Sequence, residues 1–314
     1  MPEVSYRAML KPLEVEELVD LTVHRPLAYV LTRLAYPTPI TPDQITWVSM
    51  FVGILAGVAA WSSFAVGAPR LASAGLLFIL SAVFDCSDGQ LARLRGTSSP
   101  FGRLLDGAVD AVVQIAVVPG AIAHVWWKHG GPCPGAPGAT TWNTPLVWAA
   151  LGAAALVTGV MHTTLYDRYK NIYLQHTQRQ RKEGEDPEDF ADNRGREGAG
   201  HTASDLLRGI FVMPYLTRQQ VLFRWLDPAV PRRFRDMQAY SPEVAARYGS
   251  LNRGLMRAWS FYGIGTHIFG LAVAMMLDRV ELYILARLVL FNLGLFALVP
   301  AQRRASRRFF EATP

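Results

Sequence analysis

Hydrophobic positions along the chain gather into six long runs separated by short polar breaks and one long one. Ile45 to Val66, Leu71 to Phe84, Leu104 to Trp127, Pro145 to Tyr166, Trp259 to Leu277 and Leu282 to Pro300 are the apolar segments. Most are long enough to cross about 30 Å of hydrocarbon as helices. The second has only about fourteen apolar residues, so its helix must continue through the polar sequence that follows, with its polar end in a protein-lined cavity. Gly53 and Gly57, and again Gly152 and Gly159, are spaced to let neighbouring helices approach, and Pro119 predicts a kink in the third span. Trp126 and Trp127 mark one membrane interface.

Outside the runs the periodicity changes. From Val15 to Ala35 apolar residues recur at helical spacing among Glu16, Glu17, Asp20, Arg25 and Arg33, the pattern of an amphipathic helix lying on a membrane. Tyr36-Pro-Thr-Pro-Ile-Thr-Pro ends it, and Thr41 or Asp43 is placed to cap the first span. The loop around Cys133 is rich in glycine and proline and reads as irregular and extracytoplasmic. Residues 167–257 form a polar, basic insertion. Its first half has the composition of a mobile loop, whereas Leu206 to Leu226 mixes Ile210, Phe211, Tyr215, Phe223 and Trp225 with arginines and is expected to dock on the membrane surface or the helix bundle. The expected organisation is an N-terminal segment (1–44), four spans (45–166), the insertion (167–257), two more spans (258–302) and a basic tail (303–314). The fold class is therefore an all-α integral membrane protein of six transmembrane helices, with an interfacial N-terminal helix and a long cytoplasmic insertion between the fourth and fifth.

Composition supports this reading. Of 314 residues 51% are hydrophobic and only 18% charged, with a net charge of +6. The basic residues crowd the N-terminal segment, the polar link after the second span, the insertion and the tail, while the opposite loops hold Arg70, Lys128 and Arg279. The positive-inside rule then puts both termini in the cytoplasm. The charge is matched to an anionic membrane face and not to nucleic acid. No apolar run suited to a signal peptide precedes the first helix, and the two cysteines, Cys86 and Cys133, are expected on opposite sides of the membrane without a disulfide.

Candidate chemistry lies between Phe84 and Asp110. Asp85 and Asp88 are three residues apart, Asp106 and Asp110 four, so each pair shares one helix face. If the intervening TSSPFG turns the chain back, four carboxylates converge near the mouth of the bilayer. Hard oxygen ligands of this kind suit magnesium, manganese or calcium. Gly89 leaves space for a ligand to approach the backbone, and Arg93, one turn further on, offers a planar fork to phosphate oxygens. Arg95 reads as a positive-inside anchor. A metal-bridged diphosphate and attack on phosphorus are the chemistry this set suggests.

The pattern Asp85-x2-Asp88-Gly89-x2-Ala92-Arg93-x8-Gly102-x3-Asp106-x3-Asp110 fixes eight residues across twenty-six positions and resembles the signature of the CDP-alcohol phosphotransferase family. The resemblance implies a six-helix membrane enzyme that transfers a phosphatidyl or phosphoalcohol group from a CDP-linked donor, such as CDP-diacylglycerol or another CDP-alcohol, to an acceptor alcohol, releasing CMP, in phospholipid biosynthesis. It implies that Asp85, Asp88 and Asp106 bind two divalent cations, Mg2+ or Mn2+. Asp110 would complete the metal site and act as the base. Gly89, Ala92 and Arg93 would line the cytidine diphosphate site, and Gly102 would permit close helix packing. A homodimer is implied as well.

Other polar residues fall inside apolar runs: His162, Tyr262, Thr266, His267, Arg287 and Asn292. Such groups are expensive in hydrocarbon unless a cavity or partner receives them. His267 and Arg287 are candidates for holding a substrate phosphate; packing and a helix carbonyl are the plainer account of both. A cation- or proton-coupled transporter, with the aspartates as its ion site, is the competing reading, but it gives no reason for Gly89, Ala92, Arg93 and Gly102.

Overall fold

The computed structural model describes residues 6–10, 12–97, 100–129, 145–179 and 208–311. Cys133, its loop and residues 180–207 of the insertion lie outside the described residues, and α5 carries the fourth span on into the start of the insertion, to Thr177. The helices are α1 (Arg25–Ala35), α2 (Pro42–Val66), α3 (Ala68–Arg95), α4 (Pro100–Lys128), α5 (Pro145–Thr177), α6 (Met213–Leu226), α7 (Pro242–Trp259), α8 (Ile264–Met276), α9 (Val280–Ala286) and α10 (Asn292–Phe310). No strand occurs among the described residues. Among the described residues, six helical stretches are long and apolar enough to cross a membrane: Pro42–Val66, Ala68–Arg95, Leu104–Lys128, Pro145–Thr177, Pro242–Met276 and Val280–Phe310. The protein is an all-α integral membrane protein. Two compact units make it up, one of residues Met1–Lys11, Glu17–Gly159 and Ile264–Phe291, the other of Pro12–Glu16, Val160–Gly263 and Asn292–Pro314.

In the first unit α2 begins with a reciprocal cap. Gln44 N–H donates to Thr41 Oγ1 (3.2 Å) and Thr41 N–H to Gln44 Oε1 (2.9 Å), which satisfies two of the amides that a helix start leaves open. The joint between α2 and α3 is tighter than the expected turn. Gly67 alone, at φ +91°, reverses the chain, a conformation that suits glycine. Across the α2–α3 contact Ser49 and Ser81 each donate to the other's carbonyl at 2.9 Å. Gly53 faces Val113 and Gly57 faces the Ala116 carbonyl of α4, the close approach their spacing predicts. Gly75 does the same for α3 against the Ala272 carbonyl of α8. Leu71, Phe78, Val109, Val117, Leu271 and Met275 fill the core between these helices, while Phe51, Val58, Leu76 and Ile115 point outward, as lipid-facing positions do.

Gly159, expected to serve helix packing, receives a side chain instead: a Cβ there would overlap the Arg287 guanidinium. At the end of the unit where α4 finishes, Lys128 Nζ lies 3.1 Å from both Asp278 Oδ1 and Glu281 Oε1, and His124 bridges Ser63 (2.8 Å) and Asp278 (3.2 Å).

The N-terminal helix forms later than its periodicity predicts, with a π-helical turn at Asp20–His24 followed by α1. Its small residues Ala28, Thr32 and Ala35 face inward, and Leu27, Val30 and Leu34 are exposed. Thr32 Oγ1 lies 3.1 Å from Ser87 Oγ and 3.2 Å from Gln90 Oε1 of α3, and Gln90 Nε2 donates to the Arg25 carbonyl at 3.1 Å. Arg95 is more than a surface charge. It donates to the carbonyls of Ala35, Tyr36, Thr38 and Ile40 at 2.5–3.0 Å, gathering the end of α1 and the proline segment onto the last turn of α3.

In the second unit Trp259 Nε1 donates to Gln302 Oε1 (3.1 Å), and Gln302 Nε2 to Asn252 Oδ1 (2.8 Å). His162 Nε2 lies 3.2 Å from Asn292 Oδ1 and its ring packs edge-on to Tyr262, so these intramembrane polar groups serve each other. Two expectations change in the last spans. The fifth is interrupted at Ser260–Gly263, between α7 and α8, and the sixth contains a π-helical stretch, Arg287–Phe291. Pro300 sits inside α10, which runs on through the basic residues to Phe310.

Glu17 anchors the start of α8 within the first unit. Its carboxylate accepts from Thr266 N–H (2.7 Å), Thr266 Oγ1 (3.0 Å) and Gly265 N–H (3.3 Å). Burial, reinforced by nearby Asp20, pushes its pKa up to about 8. A carboxyl raised in the folded state stabilises the fold at low pH and loses that contribution as pH rises towards its folded pKa. Thermal unfolding followed by intrinsic fluorescence should therefore show the midpoint falling as pH rises from about 4.5 to about 8. Glu17→Gln should flatten that dependence, and Glu17→Ala should lower the midpoint throughout by removing about 1–3 kcal/mol of satisfied donors.

Candidate metal centre

α3 carries two different faces through the polar stretch. Ser87, Gln90 and Leu91 are buried and turn towards α1. Asp85, Gly89, Ala92 and Arg93 are half-buried, and Asp88 buried. Asp85, the adjacent pair Asp88–Gly89 and the adjacent pair Ala92–Arg93 recur every three or four residues and form a continuous stripe. α3 stops at Gly96, whose φ of +65° closes the helix end, and α4 starts at Pro100. Because α4 begins earlier than expected, Asp106 and Asp110 lie in its second and third turns.

The reversal brings carboxylates from both helices together. One oxygen from each of Asp85, Asp88 and Asp106 lies within 4.8 Å of the others. Asp110, one turn beyond Asp106 and half-buried, falls outside that trio. Asp85 Oδ1 is buried with no hydrogen-bond partner among the described residues, and Asp88 Oδ2 accepts from Thr46 Oγ1 of α2 at 2.5 Å. A hard-cation site fits this donor set: three converging carboxylates, one with a sequestered oxygen and one oriented by a hydroxyl. On the same stripe Arg93 Nε donates to the Met9 carbonyl at 2.7 Å. A Cβ on Gly89 would sit 3.4 Å from Arg93 Nη1, so the glycine leaves the guanidinium's flank open. Ala92 and Gly102 are half-buried.

Residues 39–177 match the CDP-alcohol phosphatidyltransferase family. This stretch is a CDP-alcohol phosphatidyltransferase domain. It takes in α2 to α5 and all eight positions of the motif. Among curated relatives, the phosphatidylinositol phosphate synthase of Mycobacteroides abscessus is 37% identical over 109 residues, 35% of this chain and 44% of the relative. That of Cutibacterium acnes is 29% identical over 154 residues, 49% of this chain and 63% of the relative. The bifunctional IPC transferase and DIPP synthase of Aquifex aeolicus is 26% identical over 136 residues, 43% of this chain and 26% of the relative. The chain thus covers only part, between 26% and 63%, of these proteins' own length.

His267 and Arg287 lie beyond the domain and meet at Tyr283. Its hydroxyl donates to the His267 carbonyl (3.0 Å) and lies 3.0 Å from His267 Nδ1, while the Arg287 guanidinium carbon is 5.8 Å from its ring centroid. Tyr283 was not singled out in the sequence, where a tyrosine among apolar residues carries no distinguishing mark.

Thr46 was also missed. It stands one turn inside the first span, where a threonine reads as an ordinary helix residue, and only its pairing with Asp88 gives it a role. Hydrogen bonds to charged groups contribute roughly 1.5–3 kcal/mol, so Thr46→Val should weaken Mn2+ binding by about tenfold or more while leaving the helical signal intact. Electron paramagnetic resonance of free Mn2+ titrated with the protein, beside circular dichroism, checks both halves of that expectation.

Proposed function

We propose that this protein is a divalent-metal-dependent CDP-alcohol phosphotransferase. It transfers a phosphatidyl or phosphoalcohol group from a CDP-linked donor to an acceptor hydroxyl and releases CMP. The observation that carries the reading is the convergence of Asp85, Asp88 and Asp106 across the α3–α4 reversal inside a domain of that family. A transporter reading leaves the flanking Gly89 and Arg93 without a task.

Two bound divalent cations, Mg2+ or Mn2+, would neutralise the donor's diphosphate and stabilise the departing phosphate. Asp85, Asp88 and Asp106 would hold them, with Asp110 completing the set. Thr46 keeps Asp88 turned into the site. Arg93 directs its guanidinium fork at the diphosphate, with Gly89 and Ala92 leaving room for the nucleotide. Asp110 takes the acceptor's proton as the acceptor oxygen bonds to the β-phosphorus and the bond from that phosphorus to CMP breaks. The electrons of the broken bond leave on the phosphate oxygen of CMP.

The relatives' names favour a phospholipid product, and CDP-diacylglycerol with an inositol phosphate is the first pair to test. Distribution of charge favours a cytoplasmic site with both termini on that side: the opposite end of the first unit neutralises Lys128 with Asp278 and Glu281. His267 and Arg287, joined by Tyr283, are proposed as a secondary phosphate-holding pair, and a homodimer as the assembled form.

CMP release by purified protein, with Mg2+ or Mn2+ and a panel of CDP-linked donors and alcohols, tests the reaction. Asp110→Asn should lower turnover by about a hundredfold or more while binding donor better than Asp88→Asn does. Equal loss of donor binding in the two variants removes Asp110's separate role as base. Metal-dependent ion flux without nucleotide turnover overturns the enzyme reading.

A further inference from the structure

The second half of the insertion lies outside the matched domain and, with Arg168 of α5 from inside it, forms a basic cavity that the proposed reaction does not use. Arg168 of α5, Gln220, Phe223 and Arg224 of α6, and the turn bearing Val230 and Arg232 line a space of about 90 Å3, room for several waters or one phosphate group. Among the described residues the lining includes three arginines and no acidic residue.

Its walls are fixed before any ligand arrives. Arg168, only 3% exposed, lies over the Phe234 ring at 4.1 Å and donates from Nη2 to the Arg232 carbonyl at 2.7 Å. The turn after α6 is pinned by buried Asp227, whose Oδ2 accepts from Tyr169 Oη (3.1 Å) and Ser306 Oγ (2.6 Å). Arg224 and Arg232 stand exposed at the rim. Three cations around a small, partly apolar cavity concentrate positive potential there, and planar guanidinium forks match tetrahedral oxyanions. α6 also buries Leu216, Gln219 and Phe223, while Val221 and Trp225, one turn apart, are 54% and 77% exposed. An exposed tryptophan beside a basic rim is suited to the interface between water and lipid.

We propose that this cavity is a phosphate-binding site, taking the phosphate of an anionic lipid headgroup or of a soluble phosphorylated compound. The site stands on residues independent of those assigned to phosphotransfer.

The test uses the full-length protein in detergent, in two arms. Isothermal titration with inorganic phosphate reads the soluble source. Native mass spectrometry, counting retained phosphatidic acid or phosphatidylglycerol against phosphatidylcholine, reads the lipid source. The double variant Arg224→Glu/Arg232→Glu alters exposed positions, and an unchanged thermal midpoint confirms that it folds. Wild type should bind in at least one arm, and the double variant should lose at least about tenfold in affinity there. The arm that responds names the source. Arg168→Lys, which keeps the charge but not the fork, should give an intermediate loss. No binding in either arm, or equal binding by wild type and a folded double variant, overturns the proposal.

Discussion

Carboxylates inside an apolar helix bundle repel one another and lack water to dissipate the repulsion. Holding Asp85, Asp88 and Asp106 within a few ångströms is the constraint around which the first unit is arranged. Asp85 and Asp88 occupy α3 beyond its apolar core, so this helix must be longer than its hydrophobic run. α4 must return at once, which Gly96 and the short link allow. α2 must come near enough for a threonine hydroxyl to reach Asp88, and the glycines of α2 against Val113 and Ala116 of α4 show how closely the helices sit. The small residues serve the charges indirectly, by setting the distance between the helices that carry and orient them.

Several other polar groups of this unit are handled locally. At the far end of α4, Lys128, Asp278 and Glu281 neutralise one another, with His124 and Ser63 extending the network inward. Glu17 occupies the amides at the start of α8. Arg95 spends its donors on backbone carbonyls. Each arrangement meets the requirement that buried donors and acceptors be paired, whereas Asp85 keeps an oxygen in reserve. In the second unit Gln302 is likewise committed to neighbouring side chains, while Asp227 has Oδ2 paired and Oδ1 without a hydrogen-bond partner among the described residues.

Much of this was legible from the chain alone. Six apolar runs, the amphipathic start and the spacing of four aspartates depend on local periodicity, which sequence records directly. Thr41 as a cap and Gly53 and Gly57 as contact points follow from the same rules. Residues whose meaning comes from a distant partner were not legible: Thr46 beside Asp88, Tyr283 between His267 and Arg287, and Gly159 making way for an arginine. The interruption at Ser260–Gly263 and the π-helical stretch at Arg287–Phe291 escaped as well, because hydropathy is continuous across both while the backbone is not. Arg95 had a plausible role as a surface charge, and only the carbonyls around it reveal the clamp.

That clamp has a mechanical consequence. Arg95, Thr32, Ser87 and Gln90 bolt α1 to the side of α3 opposite the aspartate stripe, and α1 turns Leu27, Val30 and Leu34 away from the protein. On the proposed reading, in which α1 lies along the membrane surface, these hydrogen bonds tie the level of α1 to the depth of the aspartates, and so to how far a substrate from the water must descend to reach them.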